Sequence, residues 1–157
     1  MSHSLQPADW LDATLAAATE FSETTLGSGL GDTEAIRKLP ENLTGCFVAL
    51  VGQEESLQIG VASDPRGCQV LAQALFASDD PLPDTDVADA LGEIANIMAG
   101  GVKKRSGESN RGMALGLPIV MEGHVRISEH QQMVHCDIAM GDAPVRLLVV
   151  CTRDAAD

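Results

Sequence analysis

The sequence predicts an α+β fold in which an antiparallel sheet is flanked by helices. Three observations carry the expectation. The stretch from Asp84 to Gly107 repeats its apolar residues at helical spacing, and several shorter runs rich in Val, Ile and Leu have the length and composition of strands. The order of these patterns is helix, two strands, two helices, three strands, which segregates helices from an antiparallel sheet rather than alternating them through a parallel one.

Composition narrows the function before any motif is read. The 157 residues suit one domain over 1–157, with 1–6 and 153–157 expected to fray, and 45% are hydrophobic, enough for a sizeable core. Aromatic residues are scarce: Trp10 is alone of its kind, with three Phe and no Tyr. The core must therefore be built from aliphatic side chains, and base stacking on exposed rings has few candidates. A formal charge of −13 repels phosphate backbones and anionic membrane surfaces, which argues against nucleic acid and membrane partners. The start, MSHSLQPADWLD, has no basic region followed by an apolar run, and no eighteen apolar residues are consecutive, so a cytoplasmic protein is expected. Cys46, Cys68, Cys136 and Cys151 have no CxxC spacing and fit buried thiols better than a disulfide framework.

Taken in order, Trp10, Leu11, Leu15, Ala18 and Phe21 recur at helical spacing and predict a helix over Pro7 to Thr25, with Pro7 tolerated in its first turn. LGSGLGD follows a helix instead of a strand and spaces its glycines GxGxG, so it reads as a flexible turn and not as a dinucleotide loop. Leu43 to Gly52 and Ser56 to Ala62 form a hairpin signal around a polar break. Asp64 and Pro65 then start a helix whose Cys68, Leu71, Ala72, Leu75 and Phe76 share a face. Asp79, Asp80, Asp84 and Asp86 lack the glycine and closing Glu of a calcium loop; ahead of a helix they are expected to cap N–H groups and complement the dipole.

The long helix divides into two faces. Steps of about 100° place Val87, Leu91, Ile94, Met98 and Val102 on one stripe beside Ala88, Ala95 and Ala99. Asp86, Asp89, Glu93, Asn96 and Gly100 fall on the opposite side, and Glu93 and Asn96, three positions apart, point the same way. A solvated face is the ordinary meaning of such residues. Asn is however a middling helix former, and beside Gly100 and Gly101 it weakens the helix locally with no evident structural return, which marks the face for function. Lys103, Lys104 and Arg105 suit the last turn through the dipole.

Beyond Gly107, Met113 to Met121, Met133 to Met140 and Val145 to Cys151 predict three strands, with turns at GHVRISEHQ and GDAP. The last two are apolar enough that an uncovered edge would pair with a second subunit. His124, His130 and His135 lack zinc-site spacing, and no GxSxG, Walker loop or HExxH occurs.

The segment DALGEIANIMAGG, followed by GLPIVMEG, resembles the CheX and CheC class of bacterial chemotaxis phosphatases. The shared pattern is a helix carrying Glu-x-x-Asn with a Gly four residues after the Asn, then a strand opening with Leu-Pro: here Glu93, Asn96, Gly100, Leu117, Pro118 and Gly123. The likeness covers roughly 84 to 123 in motif and 43 to 152 in element order. One departure is the polar run Val102 to Ser106 that follows Gly101. The preceding helix offers Gln69 and Gln73 but no second Glu-x-x-Asn, which favours the single-site, CheX-like branch, whose members resemble sheet-continuing homodimers.

This resemblance implies a phosphatase acting on the aspartyl phosphate of a CheY-like receiver in chemotaxis or related two-component signalling. Asn96 would position the attacking water and Glu93 would pair with the receiver's active-site lysine. Asp89 lies on the same partner-facing side. Gly100 and Gly101 would admit a partner loop, or else serve a helix packing contact. The chain would need no cofactor of its own, Mg2+ being supplied by the receiver. Two other readings stay open: a non-catalytic CheC-like module that docks a receiver or flagellar-switch protein, and a plain α+β dimerisation domain.

Overall fold

A computed structural model describes residues 5–31, 37–53, 55–106 and 112–153. Three helices, α1 (Pro7–Phe21), α2 (Pro65–Leu75) and α3 (Asp84–Arg105), cover one face of an antiparallel sheet. Its strands are β1 (Leu43–Val51), β2 (Glu55–Ser63), β3 (Ala114–Leu115), β4 (Ile119–Gly123), β5 (Gln131–Met140) and β6 (Ala143–Arg153). The spatial order is β3-β1-β2-β6-β5, with β4 also paired to β1. The expected α+β class is therefore the observed one.

Strand alternation builds two unequal cores. Cys46, Val48 and Leu50 of β1, Leu57, Ile59 and Val61 of β2, and Val145, Leu147, Val149 and Cys151 of β6 face the helices in the main core. The opposite face carries a smaller cluster of Leu39, Leu43, Ala62 and Leu148, with Phe47, Val125 and Met133 packed against it. Gly60 makes room for the Phe47 ring there: a Cβ at Gly60 would lie 2.4 Å from Phe47 Cε1.

Several boundaries differ from the sequence expectation. α1 ends at Phe21, and one π-helical turn, Ser22–Leu26, carries the chain on to Gly27, whose φ of 77° closes it in the left-handed region. The glycine turn that follows is anchored at its end, since Gly31 N–H donates to Ala139 O at 2.9 Å and Gly31 O accepts from Ala139 N–H at 3.0 Å. The strand expected over Met113 to Met121 is broken in two, because Pro118 has no N–H for the ladder with β1. Of the two apolar strands considered for an open edge, β6 lies between β2 and β5 and is not an edge, whereas β5 is the terminal strand of the sheet. Phe76, expected on the inner face of α2, is exposed just past its end. The hairpin turn at Gly141 (φ 60°) suits the first position of a type II′ turn. No disulfide joins the four cysteines; Cys46, Cys68 and Cys151 are buried and Cys136 half-buried, and burial pushes the Cys68 thiol up to about 11.

Two polar devices set the frame in which α3 sits. Asp64 caps α2 by accepting from Gly67 N–H at 2.8 Å, and Arg37 grips the same carboxylate with two bonds of 2.6 Å. Gln69 of α2 reaches the connector to α3, donating to Leu82 O at 2.6 Å and accepting from Leu82 N–H at 3.1 Å. The acidic residues before α3 cap nothing through a side chain: the N-cap is Pro83, whose carbonyl accepts from Asp86 and Val87. Asp84 and Asp86 lie in the first turn, where carboxylates suit the dipole.

The Arg37 hydrogen bonds hold the Asp64 carboxyl below its ordinary value, with Gly67 N–H adding to the effect against a smaller opposing cost of burial. A depressed folded-state value means that the stabilisation is present above the unfolded value, about 3.9, and is lost as pH falls through the folded one. Asp64→Ala is expected to lose about 1–2 kcal/mol at pH 7, and the gap from wild type should narrow below about pH 4. Urea unfolding at both pH values, followed by the buried Trp10, measures this.

Candidate functional site

The candidate site is the outer face of α3. Its inner face is anchored by Val87, Ala90, Leu91, Ile94, Ala95, Met98, Ala99 and Val102, all buried against the sheet and the other two helices. The predicted apolar stripe is thus the buried one, widened by Ala90 and Gly92. Burial of that width leaves the helix no freedom to roll, so the residues opposite are held outward.

Asp89, Glu93 and Asn96 are exposed on that outer face and Gly100 is half-exposed. Glu93 and Asn96 stand one turn apart on a continuous helix, and neither has a hydrogen-bond or ion-pair partner among the described residues. A carboxylate acceptor and a carboxamide carrying both donor and acceptor therefore project together with their bonding capacity unused inside the chain. At the far end, Lys103, Lys104 and Arg105 occupy the last turn as expected, and Arg105 bonds Glu20 of α1. Helix α3 ends at Arg105 despite the polar run.

Three glycines of α3 meet different surroundings. A Cβ on Gly92 would lie 3.3 Å from Pro118 Cβ, so the segment between β3 and β4 is seated on the helix beside Glu93. A Cβ on Gly101 would lie 2.9 Å from Ala17 Cβ of α1, a crossing too close for a larger residue. Gly100 would meet nothing within 4 Å. Of the two roles considered for Gly100 and Gly101, helix packing belongs to Gly101.

Two exposed apolar residues border the site: Leu117, which belongs to the Leu-Pro pattern, and Ile97, which stands outside the motif. Leu117, next to the seated Pro118, is 85% exposed, and Ile97, next to Asn96, is 45% exposed. The signal for Ile97 was available, since the same helical count places it off the buried stripe. Leu117 is marked by the Leu-Pro pattern, but its exposure is not readable from that pattern. His124, His130 and His135 are all exposed, and among the described residues no cluster of three His, Cys, Asp or Glu could hold a metal. No helix of the described residues is long and apolar enough to cross a membrane.

Several solved structures share this architecture. The chemotaxis protein CheX from Vibrio vulnificus is similar with a TM-score of 0.73 at 18% identity, over 94% of this chain and 99% of that one. The CheX of Borrelia burgdorferi, seen in a complex with CheY, BeF3 and Mg2+, scores 0.64 at 14% identity, over 93% and 99%. FliY of Thermotoga maritima scores 0.63 at 11% identity, over 96% and 92%. At these identities the likeness is one of fold. Comparison with curated proteins gives no match. The sequence model described as Chemotaxis phosphatase CheX matches residues 44–138, more than half of the chain. The chain belongs to the CheX family of chemotaxis phosphatases.

Because Glu93 and Asn96 are exposed and have no hydrogen-bond or ion-pair partner among the described residues, Glu93→Ala and Asn96→Ala should each unfold within about 2 °C of wild type. Gly101→Val, which must push α1 away, should lower the midpoint by more than that through overpacking of about 1–3 kcal/mol. Thermal melts of the three variants test the division of α3 into a face that packs and a face that does not.

Proposed function

We propose that this protein hydrolyses the aspartyl phosphate of a CheY-like receiver domain, with Asn96 orienting the attacking water and Glu93 docking the receiver. The observation that carries the reading is the exposed, internally unpartnered Glu93–Asn96 pair on a helix fixed by burial of its other side. Family membership supports the phosphatase class, and the Borrelia relative's complex with CheY supports a receiver as the substrate.

The chemistry asks little of the chain beyond placement. Water attacks phosphorus as the bond to the aspartyl oxygen breaks, giving carboxylate and inorganic phosphate, with the water's proton passing to phosphate. The transition state is loose and in-line, so a water held at the correct angle removes an entropic part of the barrier. The Asn96 carboxamide can accept from that water and donate to a phosphoryl oxygen. A hundredfold gain corresponds to about 2.7 kcal/mol. Glu93, one turn away, would pair with a receiver lysine, and Asp89 extends the same acidic side. Mg2+ is assigned to the receiver, where it would offset phosphoryl charge; Glu93 and Asn96 supply fewer oxygens than a resident ion takes.

Asn96→Ala is expected to lose about a hundredfold in dephosphorylation of acetyl-phosphate-treated receivers while remaining folded; an unaltered rate would refute the role. Glu93→Ala is expected to raise KM more than it lowers kcat. The rival reading, a non-catalytic docking module, predicts receiver binding without phosphate release, which the same assay separates.

We also propose a homodimer formed along β4. Among the described residues this strand pairs with β1 on one side only, and Ile119 and Val120, on opposite faces of it, are 64% and 45% exposed. Antiparallel pairing of β4 with its copy would satisfy the open backbone groups and cover both side chains isologously. Sedimentation at micromolar concentration should give the dimer, and Val120→Lys should give monomer.

A further inference from the structure

Gly100 weakens a half-exposed helix interior relative to Ala, and nothing among the described residues requires its bare backbone, since a Cβ there would meet open space. Gly92 and Gly101 are each explained by a close neighbour; Gly100 is not. Three positions before it stands Ile97, well exposed while Ile94 and Met98 on the same helix are fully buried. Glu93, Asn96, Ile97 and Gly100 succeed one another at helical spacing on one outward strip. Asn96 and Gly100 lie about 6 Å apart along the axis, so a folded domain that brings its phosphoryl group to Asn96 also covers Gly100.

We propose that Gly100 and Ile97 form a stepped contact for the receiver, in which a receiver loop lies directly on the Gly100 backbone and Ile97 enters an apolar depression beside it. The inference rests on the receiver-phosphatase reading; to the loop contact at Gly100 that the resemblance implied it adds Ile97 and the shape that the two together select. Glu93 supplies charge and Asn96 chemistry, while Ile97 and Gly100 supply fit: one side chain too many at Gly100 lifts the partner off, and one too few at Ile97 leaves its depression empty. They are positioning residues, acting on the affinity of the partner and through it on the alignment of the phosphoryl group.

The test uses Gly100→Ala, Gly100→Leu and Ile97→Ser in the full chain. Phosphate release from acetyl-phosphate-treated receivers gives KM and kcat, and binding of the same receivers loaded with BeF3 and Mg2+ gives Kd. Gly100→Ala should raise the thermal midpoint by about 2–4 °C and yet raise KM and Kd severalfold, a pair of effects that a purely internal role cannot produce. Gly100→Leu and Ile97→Ser should each raise KM and Kd at least about tenfold, with kcat changing less than KM. The inference is overturned if wild type is active and Gly100→Leu and Ile97→Ser keep its KM and Kd, if Gly100→Ala lowers the midpoint, or if the substitutions change only the sedimentation of the protein, which would give this face to a second copy. Wild type that neither binds nor dephosphorylates any receiver defeats the functional reading and this contact together. Wild type that binds without phosphate release defeats catalysis alone and leaves the contact to be judged by Kd.

Discussion

Everything distinctive about this molecule depends on the burial of one side of α3. Ile94, Ala95, Met98 and Ala99 are fully enclosed, and residues on either side of them, from Val87 to Val102, continue the same contact. Removing apolar surface of that extent from water is the largest favourable contribution available to a single helix, at about 25 cal/mol per Å². Because the contact is wide and continuous, it fixes rotation as well as position. A flexible loop could present an acid and an amide only at an entropic cost; here folding has already met that cost.

The neighbouring elements serve the same end by different means. Helix α1 crosses at Gly101, and the Arg105 to Glu20 ion pair closes the helix end against it. The connection between β3 and β4 rests on Gly92 from the other side, so that α3 is held between a helix and a turn while the sheet supports it from below. Small residues at the two contacts let backbone approach backbone, and the larger apolar residues are reserved for the sheet. The separation leaves the outer strip free of packing duties along nearly its whole length.

Much of this was legible in the residues. The period of Val87, Leu91, Ile94, Met98 and Val102 identifies both faces of the long helix, because a helix under a sheet must bury one stripe and the helical repeat says which. Asp64 followed by Pro65 marks the start of α2 for an equally local reason. What could not be read were facts settled by tertiary pairing. The position of β6 inside the sheet depends on which strands meet, and an apolar run is the same whether central or at an edge. Exposed Leu117 lies within the three residues, Gly116 to Pro118, that stand opposite only Val48 and Ala49 of β1, an irregularity visible only once the register is known. Likewise the sequence shows Gly100 and Gly101 as equals, and only the approach of Ala17 distinguishes them.

The bond pair between Gln69 and Leu82 has a bearing on stoichiometry. Both ends of that carboxamide are occupied by main-chain groups of the α2–α3 connector, one donating and one accepting. An amide so engaged is withdrawn from dealings with any outside molecule, and freeing it would unmoor the segment that leads into α3. Helix α2 thus acts as a strut, and under the proposed reading each subunit services a single receiver at a time, a two-subunit assembly doing so at two separate places.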